Sequence, residues 1–387
     1  MRPSLFLLHL TTLLALVSQP GALSAQAAPA RGLAQNKAAA KFSVEIDTSG
    51  AEAILAAATA PPSSAAAAAD AALQNQAVQA MIAKMAKYDK KVTPEAFKAA
   101  VISNANGGSD APFLLADLRK DPVPARAMLR SLRDGRAMLE RRVSSRLAAF
   151  APPGLTVHGR MLVVDGSPNQ NGWVPSDKVP DFYINAAFHR GDIDSLITTS
   201  EHEIFHVVQA LVIPNLNGQF DDQPQLSSDD RGRYRAHAVL LNMVIEGMAT
   251  YVGDPTLVAE PGKRLAWQRD QLVKNLQRSD QIFTLFDTVL YRARHDPDAP
   301  LDNLLTIGFG GSWDQTGYYV GYRMAKAIDR YLGRERLREL VSAPPQQFAA
   351  DYVQVARAHP DDPEITQLSP GSVAIIEELN RGKVPGV

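Results

Sequence analysis

One segment, Thr198 to Ala210, reading TTSEHEIFHVVQA, restricts this chain more than any other. Leu196, Ile197, Ile204, Val207, Val208 and Leu211 recur at three- and four-residue steps, so the segment is a helix with an apolar side to bury. Asp194 is a suitable N-cap, the helix runs to Val212, and Pro214 and Asn215 end it. His202 and His206 are four residues apart and therefore share one face of that helix. Two imidazoles so placed can bind one Zn2+ at ~2.0–2.1 Å. Glu203, beside the first histidine, can take a proton from water activated at the metal, the usual chemistry of an H-E-x-x-H helix. With residues taken as independent, chance supplies only roughly 0.005 such motifs in a chain of this composition.

A catalytic zinc needs a third protein ligand and one open position. The chain has no cysteine, and no histidine follows His206 before His237. Glu246 is the obvious remaining donor. It lies among Met243, Val244, Ile245 and Met248, where a buried carboxylate needs a partner. Gly247 and Ala249 are small enough to let its helix pack against the H-E-x-x-H helix. His237 is the rival ligand, but two and a half turns before Glu246 it faces another way.

The pairing of His202-Glu203-x-x-His206 with Glu246-Gly247-x-Ala249-x-Tyr251 resembles the gluzincins, the glutamate-ligand zinc peptidases. It is most similar to the aminopeptidase-like branch and to uncharacterised bacterial zinc-dependent peptidase families. The resemblance covers roughly residues 155–335. It implies one zinc per chain on His202, His206 and Glu246, with Glu203 as general base. It also implies a tyrosine that supports the oxyanion. In Tyr318-Tyr319-Val320-Gly321 that tyrosine is Tyr318, with Tyr319 and Tyr322 as neighbouring candidates. By the same resemblance the strand before the metal helix, at 181–188, is an edge strand that pairs with extended substrate. The aminopeptidases' glycine-rich motif, whose glutamate grips a free amino terminus, has no match here, so endopeptidase activity is favoured. Two other readings stand beside it: a periplasmic binding or assembly protein that keeps the fold without turnover, and a hydrolase of a non-peptide amide.

The rest of the chain gives the setting. Arg2, an apolar run over 5–17 and small residues at Ala25 and Ala27 form a signal peptide cleaved before Ala28. The expected protein is exported to the periplasm or secreted from a bacterium, with no membrane anchor after cleavage. A net charge of −1 and the lack of a long basic run argue against a nucleic-acid partner; a peptide or protein substrate is expected. The Arg-rich stretch 126–146 reads as a solvated helix face. A flexible leader (28–40) precedes a strand at 41–47 and a helical region to 150, including one long helix over 123–150. Strands at 155–166 and 181–188 open the zincin-like domain (151–343), and a C-terminal helix and tail (344–387) follow. Strands first and helices after them make the fold α+β, a small mixed sheet followed by a mostly helical half.

Overall fold

A computed structural model describes residues 39–168, 171–174, 180–189, 191–221, 223, 225–296, 298–311 and 315–387. The expected signal peptide and all but the end of the leader lie outside these residues. The fold is α+β, with one four-stranded sheet and sixteen α-helices among the described residues. The strands are β1 (Lys41–Asp47), β2 (Thr156–Val164), β3 (Gly172–Trp173) and β4 (Phe182–Asn185), in the order β1-β2-β4-β3. β1, β2 and β4 are parallel, and β3 runs antiparallel to β4.

Alternation explains β1: Val44 and Ile46 are buried, while Lys41, Ser43 and Glu45 are exposed. A parallel partner requires a crossover, and here it consists of seven helices between β1 and β2. The N-terminal strand therefore shares a sheet with residues 156–164, across the boundary expected at 150/151. One apolar core runs from Ala40 to Val384. The sheet is covered on both faces. Helix α1 (Ser49–Thr59) lies on the Val164 side, where a Cβ on Gly50 would stand 2.9 Å from Val163 O and 3.4 Å from Val164 Cγ1. Helix α8 (Ile193–Val212) lies on the opposite side, with Ser200 Oγ 3.0 Å from Met161 Sδ.

Several elements differ from the sequence expectation. The segment at 181–188 is strand only as far as Asn185, and it is not the edge, because β4 is flanked by β2 and β3. The edge strand before the metal helix is the two-residue β3, which comes from what reads as a polar loop. The long helix breaks at Gly135 into α6 (Val123–Asp134) and α7 (Arg136–Phe150). The alanine-rich run after Pro61, inside the expected helical region, does hold a helix, α2 (Ala65–Leu73), that buries Ala65, Ala69 and Ala72. After 344 there are two helices, α15 (Pro345–Ala358) and α16 (Pro370–Arg381), both with residues in the core.

Helix α9 (Ser228–Val252) is the axis of the helical half. It crosses α13 (Thr316–Leu332) at two facing glycines. A Cβ on Gly247 would stand 2.2 Å from Gly321 Cα, and one on Gly321 would stand 2.2 Å from Met243 O. The helix that Gly247 admits is thus α13, not the H-E-x-x-H helix as its spacing suggests. Contact with α8 is made near the end of α9 by Gly253, where a Cβ would meet Thr198 O at 2.6 Å and His202 Cβ at 2.9 Å. No helix among the described residues is long and apolar enough to cross a membrane.

Candidate metal centre

The metal helix α8 starts two residues earlier than its sequence suggests. Asp192, not Asp194, caps it, accepting the Ser195 N–H at 3.0 Å. The other Asp192 oxygen accepts the N–H groups of Arg264 and Leu265, both at 3.0 Å, at the start of α10 (Lys263–Gln277). One carboxylate so satisfies orphan donors of two helices and ties them together. Asp194 pairs instead with Arg142 of α7 at 2.8 Å.

His202, His206 and Glu246 converge. His206 Nε2 lies 3.1 Å from His202 Nε2, and each of these nitrogens lies 3.5 Å from Glu246 Oε2. The three donor atoms lie within 4.8 Å of one another, close enough to share one metal ion. Glu246 is 6% exposed, and its Oε2 has no hydrogen-bond partner among the described residues. A buried carboxylate oxygen without a donor is costly. Two imidazole nitrogens and that oxygen fit zinc, which takes nitrogen and oxygen donors.

The electrostatics carry the same message. Burial opposes charge on His206, but the nearby Glu246 carboxylate, then Glu203 and the hydrogen bond with Gln209, raise its pKa to about 9. Burial likewise opposes charge on Glu246, yet His206 and His202 hold it well below the usual carboxylate range. In the metal-free chain a proton does the work that a cation would do.

Residues outside the motif shape the centre. His206 Nδ1 lies 2.9 Å from Gln209 Oε1, and Gln209 donates from Nε2 to Ile245 O at 2.9 Å. With Nδ1–H donating to Gln209, Nε2 of His206 keeps its lone pair for a metal. Gln209 also binds α8 to the residue before Glu246. Its signal in the sequence is its place one turn after His206. Gly172 of β3 is the second such residue. A Cβ there would stand 2.5 Å from Glu203 Cγ, so Glu203 lies flat against the edge strand. Glu203 is 6% exposed, and burial raises its pKa, with His202 and His206 acting against this and Glu246 with it.

Tyr318 is in the first turn of α13. Its ring stacks on His202, centroids 6.3 Å apart, and meets Phe309 edge-on at 6.2 Å. Burial, then the nearby charge of Glu246, hold the Tyr318 hydroxyl well above its ordinary pKa, so it remains a donor. Tyr322 points elsewhere and donates to Asp254 Oδ2 at 2.7 Å, and Tyr251 donates to Asp329 Oδ2 at 2.7 Å. His237 does not join the centre: Nδ1 lies 3.2 Å from Gln346 Oε1 and Nε2 2.9 Å from Gln219 Oε1.

Two histidines and a carboxylate from separate helices, converging beside a sheet edge, make a three-donor site able to hold a metal ion. A family model described as "Putative zinc dependent peptidase (DUF5700)" matches residues 70–361, about three quarters of the chain. The chain belongs to this family of zinc-dependent peptidases. No curated protein and no solved structure matches it.

Proposed function

We propose that this chain is an exported zinc metallopeptidase of the gluzincin type, binding one zinc through His202, His206 and Glu246. The convergence of these donors around an unpartnered carboxylate oxygen, with Glu203 beside them, carries the reading. Zinc in that position supplies Lewis acidity, polarising a carbonyl and bringing the pKa of a water to ~7. Glu203 takes the proton as the water attacks and returns it to the leaving amine. Its raised proton affinity suits both steps. Tyr318 donates its O–H to the carbonyl oxygen as negative charge builds there.

Extended substrate adds along the outer side of β3, where no other strand lies among the described residues. Gly172 brings that backbone directly onto Glu203. No glutamate occupies β3 or β4 to grip an amino terminus, which favours internal cleavage. The mature chain begins near Ala28, and intact mass of the exported protein tests that. The function is tested by metal content of the purified mature chain and by cleavage of a denatured protein with and without chelator. The expected result is one zinc per chain and chelator-sensitive cleavage. Tight zinc binding with no cleavage of any peptide would favour a binding protein or an amidase of another substrate.

A further inference from the structure

Helices α1, α2 and α6 leave a groove of about 650 Å³ between them, in the N-terminal part of the chain. Its floor is apolar: Leu55, Ala60 and Leu129 line it and are buried. One wall is α6. Arg126, Arg130 and Arg133 follow each other there at four- and three-residue steps, so they share one face of the helix, and all three line the groove. The arginine-rich stretch is thus solvated, as its sequence suggests, but this part of it also borders an apolar hollow. Arg133 pairs with Glu52 of α1 at 2.9 Å. The guanidinium groups of Arg126 and Arg130 make no ion pair and no hydrogen bond among the described residues. The unpaired charge at the groove is therefore positive, with carbon beneath it. Water alone satisfies an exposed guanidinium. A ligand that sets anions on the wall and carbon on the floor gains from both, since apolar contact shelters the charge pairs from solvent.

We propose that this groove docks an acidic segment of a partner protein, its carboxylates against Arg126 and Arg130 and an aliphatic side chain over Leu55 and Leu129. The two arginines are four residues apart, ~6 Å along α6, which matches two carboxylates one turn apart on a helix laid in the groove. A bilayer fits this shape less well, because nothing large and apolar protrudes from the groove. A nucleic acid finds no aromatic side chain lining it to stack on. The inference concerns a surface apart from the metal centre and holds whether or not the chain cleaves peptides.

Fluorescence anisotropy on the full mature chain tests it with three labelled helical peptides. The first has two glutamates four residues apart flanked by leucines, the second has glutamine for both glutamates, and the third keeps the glutamates with alanine for leucine. At physiological salt the first should bind about tenfold more tightly than either of the others. In Arg126→Gln/Arg130→Gln its affinity should fall to that of the glutamine peptide, whose own binding should not change. Ala56→Phe fills the groove from an exposed lining position and should weaken both leucine peptides. Arg141→Gln/Arg381→Gln removes the same charge from exposed residues elsewhere and should leave binding as it was. Urea melts establish that each variant folds. The proposal is overturned if the groove pair and the control pair weaken binding alike, which is attraction to net charge. It is equally overturned if the alanine peptide binds as tightly as the first, which leaves the floor without a part. Anionic vesicles or an oligonucleotide that bind through Arg126 and Arg130 more tightly than the first peptide would replace it with a membrane or nucleic-acid surface. A glutamate preference that only the groove variants abolish supports it.

Discussion

Glu246 and Tyr318 are held together by a helix crossing with no room for a side chain, so Gly247→Ala is a demanding test of the site. The added Cβ would stand 2.2 Å from Gly321 Cα and 2.8 Å from Tyr322 N, both backbone atoms that cannot rotate away. Carbon atoms rest at ~3.5–4.0 Å, so α9 and α13 must separate by at least about 1.3 Å. Overpacking of this kind costs ~1–3 kcal/mol, and the helix propensity of alanine returns up to ~1 kcal/mol. A net loss of about 1–2 kcal/mol is expected in urea unfolding. The larger effect falls on the metal. Glu246 adjoins the substituted residue, and zinc tolerates errors of only ~0.2 Å in ligand distance, so affinity should drop by more than ~10-fold. Competition with a chromophoric chelator measures this. Gly308→Ala is the control, since its Cβ would meet Val289 Cγ1 at an ordinary 3.5 Å. It should be neutral or slightly stabilising, with zinc affinity unchanged. If Gly247→Ala matches the control in both measurements, the crossing does not set the position of Glu246 and the argument fails.

Four further outcomes are expected. Glu203→Gln should keep zinc by metal analysis and lose at least ~10²-fold in turnover, while equal metal loss in Glu203→Gln and Glu246→Ala would contradict separate roles. Tyr318→Phe should lower kcat by ~10²-fold with little change in KM, and Tyr319→Phe should be much milder; equal mild effects would move the oxyanion role to another residue. Gln209→Ala should weaken zinc binding ~10–100-fold by releasing the His206 ring, and an unchanged Kd would leave Gln209 a purely structural link. The metal-free protein should lose stability as pH rises: the His206 pKa is raised from its ordinary 6.5 to about 9, so its contribution is full below 6.5 and gone above about 9. Urea melts at pH 6 and pH 9 with chelator would show this, and a chelated protein equally stable at both would refute it.

The donor set was legible because each donor lies on a long, periodic helix where four-residue spacing means proximity. His202 and His206 need only that α8 be helical, and Glu246 needs only a buried place with no other cation. Strand β1 was legible from strict alternation at Val44 and Ile46. The sheet order was not, because nothing local tells a strand which neighbour it will have. Gly172-Trp173 is too short to show a period, so the true edge strand reads as loop. The Gly247–Gly321 contact joins residues on helices far apart in the chain, and small residues announce a close approach without naming the partner. The cap moved from Asp194 to Asp192 because both are good caps and only the fold brings α10 to the second oxygen of Asp192.

The two borders of the sheet are treated differently. Along β1 the outward residues are Lys41, Ser43 and Glu45, and Glu45 is tied to Arg136 of α7 at 2.9 Å. The Ile46 N–H, a donor that an incoming strand would need, is already taken by Glu140 Oε1 at 2.9 Å. Charges and an occupied donor make that border a poor seat for another chain. The β3 border has an apolar pair, Gly172 and Trp173, with Glu203 behind it. A stray extended segment therefore meets one closed side and one beyond which no strand lies among the described residues. If substrate adds along β3 as proposed, aggregation through strand pairing would compete with it for the same two residues, and a peptide held there should protect the protein from self-association.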